Sequence, residues 1–596
     1  MCGIVGYTGY DSAASRLLEG LKCLEYRGYD SSGIALIGSE GTTVYKKEGR
    51  ICKLEKSLEN LKLKQITGIG HTRWATHGKP SDENAHPHRA GKFTLVHNGI
   101  IENFLELKNS LNISEYKSET DTEVIAHLLN KEFNGDVMQA LKKTCDKLIG
   151  SYALCVIYEG EPNCIYAARK DSPLIIGKGE GENFIASDIP ALLSKSKEMY
   201  ILNDREFAVV TPESITIFDN DLNIITKPII PITMSSESAK MGNYESFMLK
   251  EINEIPSAII STVKVYAGEK GILKSVPEKV FLAKRIYIIG CGSAYHAGLI
   301  GKQLIEKNCV IPVSVEIASE FRYNMPIVNG DTLCIFISQS GETADTLAAL
   351  KECKKCGATT IAVTNVETSS ITRICDYICP TVAGPEIAVA TTKAYVCQVA
   401  VMYLISEHIK NMQSGKNINN VCAKLLQMAS HAKEYILSAN LDKIAQEFKK
   451  LDHAFFIGRG QDFYTSLEGS LKLKEISYIH SEAYPAGELK HGTLALVEKG
   501  TLVIAIITDR NLLDKTLNAV HEVRARGASV MIISQFESLK EQSSYYDNFI
   551  LLPAGDDMYM PLLSVIPTQL LTYYISKAKG LDPDKPRNLA KSVTVE

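Results

Sequence analysis

An internal repeat dominates the second half of the chain and leaves few folds open to it. Residues 284–298 (KRIYIIGCGSAYHAG) and 452–469 (DHAFFIGRGQDFYTSLEG) each combine an apolar strand, a Gly-x-Gly turn and the start of a helix. Each copy continues with a second apolar strand, a helix and a third strand that follows a glycine. Strands that alternate with helices in this order predict parallel sheets with right-handed crossovers. We therefore predict two similar doubly wound α/β domains, which bind ligands beyond the carboxyl ends of their strands.

The first part of the chain has a different pattern. Short apolar runs such as SSGIALIG, FTLVHNGI and SYALCVIY are separated by Gly, Asn and Pro turns, which is typical of strands. Two helical stretches interrupt them, around residues 11–25 and 121–131. This pattern predicts sheets with helices packed on them, in an α+β or layered αββα domain.

A chain of 596 residues is too long for one hydrophobic core. The proline-bearing segment TKPIIPITMSSESAKMGN separates the strand-rich part from the repeats. We predict a first domain at residues 1–230, a linker at 231–250, and the two repeated domains at 251–440 and 441–596.

Composition argues against several classes of protein. A formal net charge of −4 supplies no basic field for nucleic acid. The longest apolar runs, such as TLVIAIIT, are far shorter than the roughly 20 residues that span a bilayer. The fifteen cysteines lack the spacing of a disulfide framework. No basic region precedes an apolar one at the N-terminus, so we expect no signal peptide and a cytoplasmic protein with reduced thiols.

The cysteine in second position is the first candidate for chemistry. Removal of Met1, which a small second residue favours, would place the thiol of Cys2 and a free α-amine on one residue. The pKa of an α-amine, about 7.7–8, lies close to that of a thiol, about 8.5. The amine can therefore act as the base that activates its own side chain.

Three later segments contain the other groups that attack on a carboxamide requires. In HNGI, Asn98 and Gly99 offer a side-chain amide and a backbone N–H to an oxyanion. In GHTRWATHG and SETDTEV, Arg73 and Asp121 offer partners for the carboxylate and the ammonium group of a free amino acid. Surface ion pairs and an ordinary turn would have the same residues, so the pattern alone leaves both interpretations open.

The second strand of the first repeat ends in a run of polar side chains. The segment ISQSGETADTLAAL places Ser338, Gln339, Ser340 and Thr343 between a strand and a helix, where free N–H groups and the helix dipole favour a phosphate. It lacks G-x-x-x-x-G-K-[ST], so it is not a nucleotide P-loop. A serine N-cap beside a glycine turn remains the alternative.

One helix of the second repeat aligns three charged residues. Glu468, Lys472 and Glu475 are spaced i, i+4, i+7, which keeps them within about 60° of arc. A solvated ion-pair face would look the same. Two further candidates, His491 and Lys591, follow downstream, and the pattern alone does not decide their roles.

The motifs CGIVGY, LEYRGYDSSG, GHTRWATHG, HNGIIEN and SETDTEV together resemble the class II glutamine amidotransferase domain. The family fold is the αββα sandwich of the N-terminal-nucleophile (Ntn) hydrolases. The resemblance implies that Cys2 releases ammonia from glutamine through a glutamyl thioester, with Asn98 and Gly99 as the oxyanion hole. It also implies a set of glutamine-binding residues: Arg73, Thr76, His77, Gly99 and Asp121.

The motifs SQSGET, LEGSLKLKEISYIHSEAYPAGELKHG and PRNLAKSVTVE resemble the tandem sugar isomerase (SIS) domains of the glutamine–fructose-6-phosphate aminotransferase family, the glucosamine-6-phosphate synthases. With the amidotransferase domain, the match covers essentially the whole chain. It implies conversion of fructose 6-phosphate and glutamine to glucosamine 6-phosphate and glutamate, the first step of the hexosamine pathway. No cofactor, metal, nucleic acid or membrane is expected to take part.

The same resemblance implies roles for individual residues. Lys591 would form a Schiff base with C2 of the open ketose, and Glu475 would move a proton between C1 and C2. Lys472 and Glu468 would assist proton handling. His491 would help to open the sugar ring from a neighbouring subunit, which implies a homodimer.

The remaining roles concern the sugar phosphate and the path of ammonia. Trp74, the only tryptophan of the chain, matches the gate residue on that path. The sugar-phosphate residues implied by the resemblance are Cys291, Gly292, Ser293, Ser338, Gln339, Ser340, Thr343, Val389 and Ala390.

Three positions depart from the family pattern. Ala294 and Thr391 stand where serines are usual, and Thr493 stands where a proline usually follows KHG. Ala294 puts one phosphate contact in doubt, and Thr493 could loosen the loop around His491.

Two alternative functions fit the sequence less well than the synthesis of glucosamine 6-phosphate. Another class II amidotransferase would need a phosphoribosyl-diphosphate or ATP-binding module, and we find none in the sequence. A sugar-phosphate sensor without turnover would need neither Cys2 nor Glu475 nor Lys591.

Overall fold

A computed structural model describes residues 2–113, 115–232, 240–268, 270–414 and 419–594. They form two compact units. The first unit comprises the described residues up to Lys240 and those from Ser592 onward, and the second spans Met241–Lys591. The expected removal of Met1 and residues 233–239 of the predicted linker lie outside the described residues.

The first unit is built mainly from strands. In chain order its elements are β1 (Gly3–Thr8), α1 (Ala13–Cys23), β2 (Ser31–Gly38), β3 (Gly41–Glu48), α2 (Ile51–Leu58), β4 (Thr67–Arg73), β5 (His88–Ala90), β6 (Phe93–Ile101), α3 (Phe104–Leu111), α4 (Thr122–Glu132), α5 (Val137–Lys147), β7 (Gly150–Tyr158), β8 (Ile165–Lys170), β9 (Ile175–Lys178), β10 (Asn183–Ala186), β11 (Glu198–Ile201), β12 (Glu206–Val210), β13 (Ile215–Phe218), β14 (Ile224–Ile225) and β15 (Ile230–Pro231).

These strands form two antiparallel sheets that pack face to face. Their orders are β15-β11-β9-β10-β1-β4-β2-β3 and β14-β13-β12-β8-β7-β6-β5. Side chains alternate across each strand. On β1, Ile4 packs between the sheets with Val96 of β6, while Val5 and Tyr7 pack with α1. Helices α4 and α5 cover the outer face of the second sheet, so the predicted αββα sandwich is confirmed.

The sequence pattern located only part of the helical content. The stretches predicted around 11–25 and 121–131 are α1 and α4. Helices α2, α3 and α5 were not predicted. Most helical stability in proteins comes from tertiary packing rather than from local propensity, so a helix need not be visible in the local sequence pattern.

The second unit alternates strands and helices. Its elements are α6 (Phe247–Tyr266), β16 (Arg285–Gly290), α7 (Ser293–Cys309), β17 (Val313–Ile317), α8 (Ala318–Phe321), β18 (Thr332–Ser338), α9 (Ala344–Lys355), β19 (Thr359–Thr364), α10 (Ser370–Ile374), β20 (Tyr377–Pro380), α11 (Lys393–Ser414), α12 (Asn419–Ser438), α13 (Asp442–Phe448), β21 (His453–Gly458), α14 (Gln461–Ser477), β22 (His480–Pro485), β23 (Leu502–Ile507), α15 (Leu513–Arg524), β24 (Ser529–Ser534), β25 (Asn548–Leu551) and α16 (Pro561–Ala578).

The two repeats have the same topology. Both sheets are parallel, with orders β17-β16-β18-β19-β20 and β22-β21-β23-β24-β25. Helices cover both faces of each sheet, so the predicted pair of doubly wound domains is confirmed.

A single apolar core joins the two repeats. It contains Ile288 and Ile335 of the first sheet together with Phe456 and Ile504 of the second. Helices α7 and α14, which begin after the Gly-x-Gly turns, both contribute to it. In the part of the chain that is described, no helix has the length and apolarity needed to cross a membrane.

Candidate active sites

The thiol of Cys2 lies against the loop that follows β4. The backbone N–H of Trp74 is 3.4 Å from the sulfur, and the Trp74 carbonyl oxygen is 3.6 Å from it. Burial raises the pKa of the Cys2 thiol above its ordinary value. A thiol in this setting needs a base to become a nucleophile, and the expected base is the amine of the same residue.

The predicted oxyanion donors lie on β6, beside Cys2. Asn98 is buried, and its Nδ2 donates to the Cys2 carbonyl oxygen at 2.9 Å. Gly99 has a φ of +137°, and a Cβ at this position would lie 2.0 Å from the Ser151 carbonyl oxygen. The backbone therefore accepts only glycine here, because any side chain would push β6 away from β7.

We expect Gly99→Ala to lower glutamine hydrolysis about 100-fold or more, because it displaces both oxyanion donors. It should also lower the melting temperature of the protein. Gly38→Ala on β2 is the matched control, since its Cβ would meet only Gln65 at 3.4 Å. Initial rates of glutamate release and thermal unfolding curves measure both effects. A Gly99→Ala enzyme as active and stable as Gly38→Ala would contradict the proposed strain at this strand.

Arg73, the last residue of β4, has one guanidinium nitrogen without a partner among the described residues. Its Nη2 donates to the carbonyl oxygens of His77 and Gly78, the latter at 3.1 Å. Its Nη1 is buried and has no hydrogen-bond partner among the described residues. Buried donors are normally paired, and a carboxylate is the partner that suits a guanidinium.

The other residues predicted to bind glutamine lie in the loop after β4 or just before α4. Asp121 is buried immediately before α4 and accepts from the Ile101 N–H at 2.9 Å. His77 packs edge-on against Phe104 with ring centroids 5.1 Å apart, while Thr76 is exposed. The predicted gate, Trp74, is half-buried.

Asp30 supports this loop, although no role was predicted for it from the sequence. Its carboxylate accepts from the Ala75 N–H at 2.8 Å, and its own N–H donates to the Arg73 carbonyl oxygen at 2.9 Å. These bonds hold both ends of the segment that carries Trp74. The motif LEYRGYDSSG, which contains Asp30, is the sequence feature from which its role could have been predicted.

In the second unit, the three charged residues of α14 are not on a solvated face. The Lys472 ammonium lies 2.6 Å from Glu475 and 3.4 Å from Glu468. The side chains of Glu468 and Lys472 are 0% and 1% exposed, and that of Glu475 is 20% exposed. Glu475 is thus the member of the line that a ligand can reach.

The environment gives the two carboxylates different proton affinities. Burial and the charge of Glu468 raise the pKa of Glu475, although Lys472 opposes them. Burial also disfavours ionised Glu468, but Lys472 and His296 outweigh it and hold its pKa below the ordinary value. Glu475 is therefore the better candidate for taking up and releasing a proton.

Glu468 also connects the two repeats. It accepts from Ser293 Oγ and lies against His296 Nδ1, both at 2.8 Å and both on α7. Ser293 follows Gly292, whose φ of +55° turns the chain from β16 into α7, and Cys291 precedes that turn. His296 was not predicted from the sequence, although it stands three residues after Ser293 and so on the same helix face.

The predicted phosphate loop lies between β18 and α9. Ser338 Oγ accepts from the Gly341 N–H at 3.0 Å and lies 3.2 Å from Thr343 Oγ1. Ser340 Oγ accepts from the Glu342 N–H at 3.2 Å. Hydroxyl groups thus line the N-terminal end of α9, where the helix dipole attracts an anion. Gln339 lies half-buried within the same turn.

Lys591 is buried in an ion pair. Its Nζ donates to Glu386 Oε2 and to Thr391 Oγ1, the latter at 3.2 Å. The other oxygen of Glu386 accepts from the N–H groups of Thr392 and Ala394 at the start of α11. The departure at Thr391 therefore retains a hydroxyl for the lysine. Glu386 begins the segment EIAVATTKA, which contains the predicted residues Val389 and Ala390, but it was not itself predicted from the sequence.

The predicted sugar-site residues Val389 and Ala390 are buried between Glu386 and Thr391. His491 is not brought to the other predicted residues. It is exposed in the turn Glu488–His491 and, among the described residues, makes no hydrogen bond or ion pair with them.

Comparison with known proteins matches both units to described families. A model of the glutamine amidotransferase domain matches residues 71–194, and a model of the SIS domain matches residues 279–407 and 447–576. The isomerase half resembles a solved structure, the C-terminal domain of glucosamine-fructose-6-phosphate aminotransferase from Francisella tularensis. That match has 39% identity and a TM-score of 0.55, and covers 58% of this chain and 100% of the other.

Curated relatives match from end to end. The glutamine–fructose-6-phosphate aminotransferases (isomerizing) of Clostridium tetani and Bacillus subtilis are 49% and 45% identical to this chain, with 100% of each chain covered. Identity at this level over full length, joined to matching amidotransferase and SIS domains, shows that the chain belongs to the glutamine–fructose-6-phosphate aminotransferase (isomerizing) family.

Proposed function

We propose that this chain converts fructose 6-phosphate and glutamine to glucosamine 6-phosphate and glutamate, the first step of the hexosamine pathway. The observation that carries the proposal is the presence of two complementary sites in one chain. One has a cysteine beside an amide donor and a guanidinium whose Nη1 has no partner among the described residues, and the other has a buried lysine in the same unit as a hydroxyl-lined helix start. The first suits amide hydrolysis, and the second suits amination of a sugar phosphate.

In the first reaction, the Cys2 sulfur attacks the carboxamide carbon of glutamine. Asn98 Nδ2 and the Gly99 N–H stabilise the oxyanion, the C–N bond breaks, and ammonia leaves with the proton that the α-amine took from the thiol. Water then hydrolyses the thioester to glutamate. Arg73 binds the α-carboxylate and Asp121 the α-ammonium group, with Thr76 and His77 completing the glutamine site.

In the second reaction, the phosphate is held by the loop Ser338–Thr343 at the start of α9. His491 of a neighbouring subunit helps to open the sugar ring. The Lys591 amine then adds to C2, water leaves, and ammonia displaces the lysine from the imine. Glu475 moves a proton from C1 to C2, and no cofactor is needed because a protonated imine accepts the electron pair.

The arrangement of the whole protein completes the proposal. We assign residues 1–230 to the glutaminase and 251–440 and 441–596 to the SIS domains, with a linker at 231–250. Trp74 gates the passage of ammonia between the two sites. The enzyme acts as a homodimer in the cytoplasm and needs neither nucleic acid nor a membrane.

The raised pKa of Glu475 predicts that isomerisation slows at low pH. The base must be ionised, so the rate falls as pH falls through this pKa, which lies above that of an ordinary glutamate. Lys472 lowers the pKa of Glu475, so Lys472→Met should move the acid limb to higher pH. Lys474→Met, exposed on the same helix, is the control. A limb that stays in place or moves to lower pH would contradict the assignment of Glu475.

The overall activity is tested directly by incubating the purified enzyme with glutamine and fructose 6-phosphate. Mass spectrometry should detect glutamate and glucosamine 6-phosphate in equal amounts. Glutamine labelled with ¹⁵N at the amide should label the amino sugar even when unlabelled ammonium chloride is present. Loss of the label to the solvent pool would argue against direct transfer of ammonia.

A further inference from the structure

Four histidines pack together behind the proposed oxyanion donor, and the reaction described above uses none of them. His71 lies on β4, His86 and His88 lie at or just before β5, and His97 precedes Asn98 on β6. All four are at most 4% exposed. Burial lowers the pKa of each imidazole, that of His71 to about 3, so the cluster is neutral at physiological pH.

Two backbone carbonyl groups fix the orientation of the Asn98 amide. His71 Nε2 lies 3.0 Å from the His97 carbonyl oxygen, which can only accept, so Nε2 carries the proton of the neutral ring. The same Nε2 lies 3.1 Å from Asn98 Oδ1. At the other end of the amide, Nδ2 faces the Cys2 carbonyl oxygen at 2.9 Å. A flipped amide would set N–H against N–H on one side and oxygen against oxygen on the other.

The rest of the cluster holds the His71 ring in this position. His71 stacks on His86, with ring centroids 4.0 Å apart and planes 12° from parallel. His86 Nδ1 in turn accepts from the His97 N–H at 3.4 Å. His71 Nδ1 has no hydrogen-bond partner among the described residues, so no acceptor there competes with the His97 carbonyl for the proton of the neutral ring.

We propose that His71 is a positioning residue of the glutaminase reaction, which holds the Asn98 amide with its N–H₂ group towards the oxyanion. This inference rests on the proposed role of Asn98. Without the hydrogen bond from His71, the amide can rotate and present its oxygen to the developing negative charge. The loss would then fall on the transition state rather than on glutamine binding.

The test compares His71→Gln with His71→Met in the full-length enzyme. The two side chains have similar volumes, but only glutamine can donate an N–H to Asn98 Oδ1. We expect His71→Met to lower kcat for glutamine hydrolysis about 10- to 100-fold with little change in KM, and His71→Gln to recover much of that loss. His88→Met is the matched control, because His88 is buried in the same cluster but bonds to Thr120 at 3.2 Å.

A double-mutant cycle with Asn98→Ala separates positioning from general damage. If His71 acts through Asn98, then His71→Met should cause little further loss once the amide is gone. Fully additive losses, or an equal loss in His88→Met, would overturn the inference. Thermal unfolding curves of the same samples report whether the variants are folded, because the isomerase site lies in the second unit and does not report on the first. If the Asn98→Ala enzyme hydrolysed glutamine at the wild-type rate, the proposed oxyanion hole would instead be overturned.

Discussion

Replacing Cys2 by alanine is expected to abolish glutamine-dependent synthesis of glucosamine 6-phosphate while sparing isomerisation of fructose 6-phosphate. The thiol is the only nucleophile proposed at the first site, and loss of a catalytic nucleophile lowers rates by about 10⁴-fold or more. Among the described residues, the sulfur makes two weak polar contacts, both with Trp74, and alanine removes them. The fold should therefore survive. Parallel assays of glutamate, amino sugar and glucose 6-phosphate measure all three activities.

Matched controls are available for this variant. Cys23→Ala and Cys52→Ala remove exposed thiols of the same unit and should leave glutamine use unchanged. Alkylation by iodoacetamide should inactivate the wild type and both control variants at the same rate. Retention of glutamine hydrolysis in Cys2→Ala would refute the assignment of the thiol.

Replacing Lys591 by alanine is expected to lower amino-sugar formation about 1,000-fold or more while glutamine hydrolysis continues, because the proposed imine is assigned to this lysine. Alanine also leaves the buried Glu386 carboxylate unpaired, which costs about 3–5 kcal/mol in comparable sites. A loss of activity in this variant alone could therefore come from local unfolding.

Lys591→Arg separates the two explanations. Arginine keeps a positive charge beside Glu386 but stays protonated and forms no imine at neutral pH. We expect Lys591→Arg to be as inactive in amino-sugar formation as Lys591→Ala, but to unfold at a temperature closer to that of the wild type. Borohydride reduction in the presence of fructose 6-phosphate should attach the sugar to the wild-type chain only. An active Lys591→Arg enzyme would remove the lysine from the mechanism.

Local patterns in the sequence predicted the fold well, because the αββα sandwich and the paired α/β domains depend on short-range periodicity. The alignment of Glu468, Lys472 and Glu475 on one helix face was likewise foreseeable. Their burial was not, because it depends on α7 packing against α14 and on bonds from Ser293 and His296, more than 170 residues away in sequence.

The supporting residues were the hardest to predict. Asp30, His71 and Glu386 all lie inside motifs that the sequence makes visible, but each acts through another residue. Asp30 holds a loop, His71 orients an amide and Glu386 holds a lysine. Such roles depend on which atoms meet in three dimensions, and the pattern of residue types does not specify this.

The apolar core common to the two SIS repeats has a consequence for synthesis on the ribosome. When the first repeat has emerged as far as Ser438, the surface that will meet β21, α14 and α16 is still bare. The roughly 140 residues up to the end of α16 take about 7–30 s to translate. During that interval the nascent chain exposes the apolar side chains that its second repeat will later cover, and such a surface favours aggregation.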